Sequence, residues 1–289
     1  MAKKEGAFMK SFWMIAPILV LACALRLVLF LAIVPYPERF FTPDSYEYVD
    51  LGSKFKEAYA GGNGKLFDLG LLRTPGYPLL INGVYTTVGP QPWAVVLVQI
   101  AVAVLTVWLT YVVGVGLFGP RAAQLASLAL AVDPISVILT NYLQPEVFFT
   151  FVLVAGSLFW WQALRQRSFG WSAGAGILLG ISALIRPITL YLPVVLVPAG
   201  WILHRGRWSQ RLALCGVFLM SFALPVGGWI ARNHRVTGVP ILSSVEGTNL
   251  LYFRAAGALV EDEGLSNDEA RHRLRATLEG RMQRGMNQA

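Results

Sequence analysis

Apolar runs long enough to cross a bilayer recur along this chain, and they leave few folds open to it. The first, Phe12 to Val34, follows Lys3, Lys4 and Lys10. Others run from about Trp93 to Phe118, Ala122 to Thr140, Val147 to Leu164, Trp171 to Ile185, Ile188 to Leu203 and Leu212 to Ala231. A spanning helix needs roughly 17–25 mostly uncharged residues. A water-filled surface cannot be built from the remainder either: only 14% of the 289 residues are charged and 55% are hydrophobic, whereas soluble domains carry about 25% charge. The expected fold is all-α, a polytopic transmembrane bundle of about seven spans.

Excess Lys and Arg, a formal net charge of +8, fits cytoplasmic loops of a membrane protein. The aromatics lie inside apolar runs, not interleaved with basic residues, so nucleic acid is not an expected partner. Arg121, then Arg165 and Arg167, then Arg205, Arg207 and Arg211 mark three loops as cytoplasmic. The stretch between the last two must go out and return, which puts Arg186-Pro187 at an outer turn. Its halves are short for full spans, and a broken or re-entrant pair fits them. Arg232, His234 and Arg235 run against this scheme, so the end of the last span is its least secure point.

Between the first two spans, residues 35–92 form a long outer loop. Tyr48, Leu51, Phe55 and Tyr59 recur at helical spacing, and Gly61-Gly62-Asn63-Gly64 stops that helix. A second amphipathic piece runs from Gly76 to Tyr85, and both suit a membrane interface. Residues 1–235 thus read as the transmembrane domain and 236–289 as a polar, extracytoplasmic segment, in which Ser266 to Met286 is helical in propensity but lacks an apolar face. Cys23 and Cys215 read as small buried residues. His204, His234 and His272 are scattered and read as solvated.

Four sets of residues carry chemical interest. Asp44, in Thr42-Pro43-Asp44-Ser45-Tyr46-Glu47-Tyr48, sits where a cavity would open to the outer face. A carboxylate there is a general base for an incoming hydroxyl or amine; equally, Asp44 and Glu47 have the spacing of a capping box. Glu146 opens a span after a short outer turn, either as favourable charge at a helix N-terminus or as a second cavity acid able to hold a metal or orient an acceptor. Asp133-Pro134 is a third acid, beside a kink. Arg73 and Arg186 are outer cations whose guanidinium geometry matches phosphate, or which bind headgroups only. Arg26 lies deep in the first span and reads either as a snorkelling or paired charge or as the neighbour of a polar cavity. Phosphate-binding loops, nucleotide folds and nucleophile elbows are missing from the sequence.

In the order of these parts the chain resembles the GT-C polytopic glycosyltransferases, which include the protein O-mannosyltransferases and the lipid A aminoarabinose transferases. An acid, Asp44, follows the first span. Arg73-Thr74-Pro75-Gly76-Tyr77-Pro78-Leu79-Leu80 is similar to that group's basic, Pro-containing region. Gln99, Pro134 and Glu146 follow in order, then Gly176 to Arg186-Pro187, Arg232-Asn233 and Gly247-Thr248-Asn249-Leu250. The resemblance covers about residues 12 to 255. It implies inverting transfer of a sugar from a polyprenyl-phosphate carrier to an extracytoplasmic glycan, lipid or protein, in a bacterial inner membrane with the site facing outside. By that likeness Asp44 is the catalytic base, Glu146 a second catalytic acid, and Arg186 a phosphate ligand, with Arg73, Tyr77 and Glu47 beside it in substrate binding. A divalent metal is left open. Known members pair two adjacent acids after the first span, where this chain has Asp44-Ser45, and continue through further spans, so the chain reads either as a shortened copy or as an incomplete catalytic unit. A transporter of lipid or small solute, or a non-catalytic paralogue, is the rival class.

Overall fold

The protein is described from a computed structural model, which covers residues 2–60, 72–203 and 206–286. Every described element is helical. Helix α1 (Ala2–Ile33) is followed by a tight turn at Pro37–Phe40 and by α2 (Pro43–Ala60) and α3 (Gly76–Val88). The bundle continues through α4 (Pro92–Phe118), α5 (Pro120–Val132), α6 (Pro134–Thr140), α7 (Glu146–Gln166), α8 (Phe169–Ile185), α9 (Pro193–Leu203) and α10 (Trp208–Thr237). Short helices α11 (Val245–Asn249) and α12 (Ala256–Glu263) and the longer α13 (Asn267–Met286) close the chain.

Among the described residues four helices are long and apolar enough to cross a membrane: Met14–Ile33 of α1, then α4, α7 and α10. The pair α5–α6, bent by 54°, has the length and composition of a broken span or a re-entrant loop, and the break falls at Asp133-Pro134, where the sequence foresees a kink. The two remaining apolar segments are shorter. α8 has 17 residues and α9 has 11, about 25 Å and 17 Å at 1.5 Å per residue. A turn at Pro187–Tyr191 divides them, as the Arg186-Pro187 break predicts. Large apolar side chains on the outside of the bundle, such as Val28, Leu125, Val194 and Leu224, are about 70% exposed or nearly so (67%, 69%, 74% and 70%). Such a surface suits lipid, not water.

Small residues set how closely the helices pack. A Cβ added at Gly180 of α8 would lie 2.5 Å from Pro225 Cγ and 2.7 Å from Phe222 O of α10. One at Gly176 would meet Phe218 O and, at 2.8 Å, Phe222 N. This Gly-xxx-Gly stripe brings two backbones together where lipid supplies no hydrophobic drive. Trp160, Leu179, Phe218 and Phe222 fill the core around it.

The interfacial pair behaves as its periodicity predicts. Tyr48, Leu51 and Phe55 of α2 are buried, while Asp50 and Lys54 face outward and pair at 2.6 Å. Tyr77 and Ile81 of α3 pack against this face. Gly61-Gly62-Asn63-Gly64, the side chain of Tyr59, and residues His204 and Arg205 lie outside the described residues.

By contacts the chain forms two units, Met1–Gly70 with Thr74–Leu242, and Leu71–Arg73 with Ser243–Ala289. The first unit reaches past α10 because the return of the chain packs on that helix: Asn233 Nδ2 donates to Ile241 O (2.8 Å) and Leu242 O (3.2 Å), and Trp229 Nε1 to Leu242 O (3.1 Å). In the second unit, Ser266 and Glu269 cap α13 reciprocally. Ser266 N and Oγ donate to Glu269 Oε2 at 2.9 and 2.7 Å, and Glu269 N donates back to Ser266 Oγ at 3.3 Å.

Candidate functional site

At the start of α2, Ser45 Oγ accepts from Thr42 N and sits 2.9 Å from Thr42 Oγ1. Asp44 and Glu47 both lie on α2 with exposed side chains. Ser45 also ties this turn to the one before α7, since its hydroxyl donates to Leu143 O at 2.9 Å. Leu143 N donates to Phe40 O at 2.9 Å, and Gln144 Nε2 donates to Thr42 Oγ1. The turns that carry Asp44 and Glu146 are therefore stitched together at one end of the bundle.

Arg186 joins the same end. It terminates α8, and its Nη2 makes an ion pair with Glu146 Oε1. Thr74 Oγ1 donates to Ile185 O at 3.1 Å. Gly76 lies so near Leu184 and Ile185 that a Cβ there would sit 2.7 Å from Leu184 O. The Thr74-Pro75-Gly76 motif thus props the end of α8 from which Arg186 projects. Arg73, half-buried, belongs to the second unit. The other carboxylate oxygen, Glu146 Oε2, is buried without a hydrogen-bond partner among the described residues.

Beside Glu146 lies a cavity of about 240 Å³ lined by Ala103, Thr106, Leu130, Asp133, Ile135, Ser136, Leu139, Glu146, Val147 and Thr150. It exists because the fifth span is broken. Pro134 has no N–H for the carbonyl of Leu130, and the Asp133 carboxylate takes the N–H of Ser136 at 2.7 Å. Arg26, 0% exposed, serves the groups that the break leaves over. Its guanidinium donates to Ala131 O (3.0 Å), Leu130 O (3.5 Å), Ser136 Oγ (2.8 Å), Thr140 Oγ1 (3.3 Å) and Ala22 O (3.0 Å). All five N–H groups of the fork are used. Arg26 does not snorkel: its charge is satisfied within the bundle, and one of its partners, Ser136, lines the cavity.

Tyr77, expected at the substrate, is buried (1% exposed) and donates to Gln99 Oε1 at 2.6 Å. Gln99 Nε2 donates to Thr140 O (2.8 Å) and Tyr142 O (2.7 Å). The pair holds the turn that leads to Glu146. Burial pushes the Tyr77 phenol well above its ordinary range, with the nearby Glu146 charge adding to the effect, and burial raises Tyr85 to about 12. Both phenols stay protonated at neutral pH, so neither is a base.

A second hollow, about 330 Å³ and almost wholly apolar, runs along α7 and the turn after Arg186, lined by Phe149, Leu153, Ile188, Thr189, Tyr191, Leu192 and Val195. Sequence reasoning missed it, and missed Ser136, Thr106 and Thr150 as cavity residues, because isolated hydroxyls in apolar helices carry no pattern of their own. Among the described residues no group of three His, Cys, Asp or Glu side chains is placed to hold a metal ion.

A family model described as dolichyl-phosphate-mannose-protein mannosyltransferase matches residues 73–229. That span includes Glu146, Arg186, both hollows and the Gly-xxx-Gly stripe. No curated protein and no solved structure gives a significant match.

Proposed function

The chain belongs to the dolichyl-phosphate-mannose-protein mannosyltransferase family, and from that premise we propose that this integral membrane protein moves a sugar from a polyprenyl-phosphate carrier to an extracytoplasmic glycan, lipid or protein, with inversion. One observation carries the reading. Arg186 is ion-paired to Glu146, which lines one cavity, and is followed by Ile188 and Thr189, which line an apolar hollow; a lipid-linked phosphate with a sugar on one side and a hydrocarbon chain on the other would suit such neighbours. The guanidinium offers two parallel hydrogen bonds to a phosphate.

In the proposed reaction the acceptor hydroxyl attacks the anomeric carbon from the face opposite the phosphate. As the new C–O bond forms, the bond to the carrier's phosphate oxygen breaks, and its electron pair leaves with the phosphate. Asp44 accepts the acceptor's proton. Arg186 meets the charge that grows on the departing phosphate. Glu146 orients Arg186 through one oxygen. Glu47 and Arg73 remain substrate-binding proposals, whereas the buried hydrogen bond of Tyr77 favours a positioning role. On the present proposal this end of the bundle faces outside, in a bacterial inner membrane, a reading that the basic loops support.

The test is transfer by purified protein in nanodiscs, supplied with labelled polyprenyl-phosphate sugars and a hydroxyl acceptor. A product of inverted anomeric configuration, with free polyprenyl phosphate released in equal amount, is the expected result. Retention of configuration, or no dependence on the lipid phosphate, would overturn the proposal.

A further inference from the structure

The hydrogen-bonding inventory of the 240 Å³ cavity is strongly one-sided. Thr106 Oγ1 and Thr150 Oγ1 each spend their proton on their own helix, on Val102 O and Glu146 O at 2.8 Å, so only lone pairs remain to face a ligand. Asp133 is an acceptor as well. Ser136 Oγ already accepts from Arg26 and keeps one O–H to give. The rest of the wall is apolar: Ala103, Leu130, Ile135, Leu139 and Val147. A phosphate or carboxylate finds almost no donor here. A ring carrying several hydroxyls finds acceptors for them and apolar surface for its C–H faces. The volume lies below the roughly 300–1,000 Å³ of sites for drug-sized ligands, so it suits one ring and not a chain of them.

We propose that this cavity is the subsite for the transferred ring, a single uncharged, hydroxyl-rich sugar. Asp133 binds its hydroxyls, and Arg26 is the positioning residue that holds Asp133 and Ser136 at the wall. The inference rests on the lipid-linked donor reading and specifies where the donor's sugar goes. The role of Arg26 follows from the broken span. A break within the membrane leaves carbonyls without donors, and the guanidinium supplies them to Leu130 O and Ala131 O, just before Asp133, and to Ser136 Oγ just after it. Lysine keeps the charge but has three donors for five acceptors.

The test compares two ligands, a polyprenyl-phosphate hexose and the bare polyprenyl phosphate, binding to the purified protein in nanodiscs. The parent should prefer the sugar-bearing lipid by about tenfold. Asp133→Asn should bring that ratio to within about twofold of unity and leave the bare lipid's affinity unchanged, since Asn accepts fewer hydroxyls yet still caps α6. Arg26→Lys should do the same, and if that variant fails to fold, Asp133→Asn decides alone. Equal loss for both lipids, or an undiminished ratio in Asp133→Asn, overturns the ring subsite. A parent that binds the bare carrier without preferring the sugar overturns it too, with the donor reading intact. A parent that binds neither lipid removes the donor reading, and the subsite with it.

Discussion

Removing the buried amide of Gln99 separates a positioning role for Tyr77 from a substrate-binding one. Gln99→Leu keeps the volume close but deletes three hydrogen bonds, those to Thr140 O, Tyr142 O and from Tyr77. Interhelical hydrogen bonds in membranes average about 0.6 kcal/mol each, which sets a floor near 2 kcal/mol for three. Buried groups left without partners cost about 1–3 kcal/mol apiece, and burial of a leucine side chain returns roughly 1.5–3 kcal/mol. The net expectation is a loss of about 2–4 kcal/mol. Tyr77→Phe, which deletes one bond, should cost about 1 kcal/mol. The double variant should cost less than the sum by a similar amount, because the two side chains share that bond. Reversible unfolding in mixed micelles measures all three. Turnover should fall in step, since the turn held by Gln99 leads to Glu146. A Gln99→Leu protein within about 0.5 kcal/mol of the parent would refute the argument. So would a Tyr77→Phe protein of unchanged stability whose donor KM rises, which is the signature of direct substrate contact.

Asp44→Asn should lower turnover by about 100-fold or more with stability kept, whereas Ser45→Ala, which removes the hydroxyl that accepts from Thr42 N and donates to Leu143 O, should cost about 1–3 kcal/mol in unfolding assays. Glu146→Gln should raise the affinity for bare polyprenyl phosphate several-fold in a binding titration, because a negative charge beside the phosphate is gone and Arg186 is released to it, while turnover falls. Gly180→Leu should destabilise the bundle by at least about 1–3 kcal/mol, since even a Cβ there would lie 2.5 Å from Pro225 Cγ. Hydrogen bonds from the Ser266 hydroxyl and N–H hold the Glu269 carboxyl below its usual range. A depressed carboxylate stabilises above its unfolded pKa, so protection of the first turn of α13 in amide exchange should be full at neutral pH and lost as pH falls through the lowered value.

Much of this was readable because bilayer physics leaves strong marks in sequence. The spans, the Pro134 kink, the Arg186-Pro187 break and the buried stripe Tyr48, Leu51, Phe55 all follow from run length, missing N–H groups or helical period. The shared end of Asp44, Glu146 and Arg186 also followed, from parity and basic loops. What escaped the sequence depends on contacts between distant residues. Ser45, beside Asp44, is held by Leu143, 98 residues away, a bond no local pattern records. Tyr77 looked like part of a substrate motif, yet the hydrogen bond to Gln99 turns it inward. Arg26 left two readings open since its partners sit over 100 residues on, at a break whose orphaned carbonyls only the fold brings to it.

The Glu146–Arg186 pair sits where two helix ends both favour it. α7 and α8 are joined by a tight turn at Arg167-Ser168 and run antiparallel, so the N-terminus of α7 lies beside the C-terminus of α8. Glu146 occupies the first turn of one and Arg186 caps the other, each complementing the local dipole. This has a consequence for phosphate. Anion sites in many proteins use a helix N-terminus, where backbone N–H groups hold the ligand firmly. Here the backbone nearest Arg186 is a helix C-terminus, whose carbonyls repel an anion, and Glu146 adds a second negative charge. On the proposed reading the guanidinium attracts the lipid phosphate, while the α8 carbonyls and the Glu146 carboxylate oppose it. A transferase that must let the spent carrier go after every cycle is served by that balance. The sugar's contacts in the acid-lined cavity add affinity to the loaded carrier alone, and the bare phosphate, once the sugar is gone, keeps the weaker half of the site.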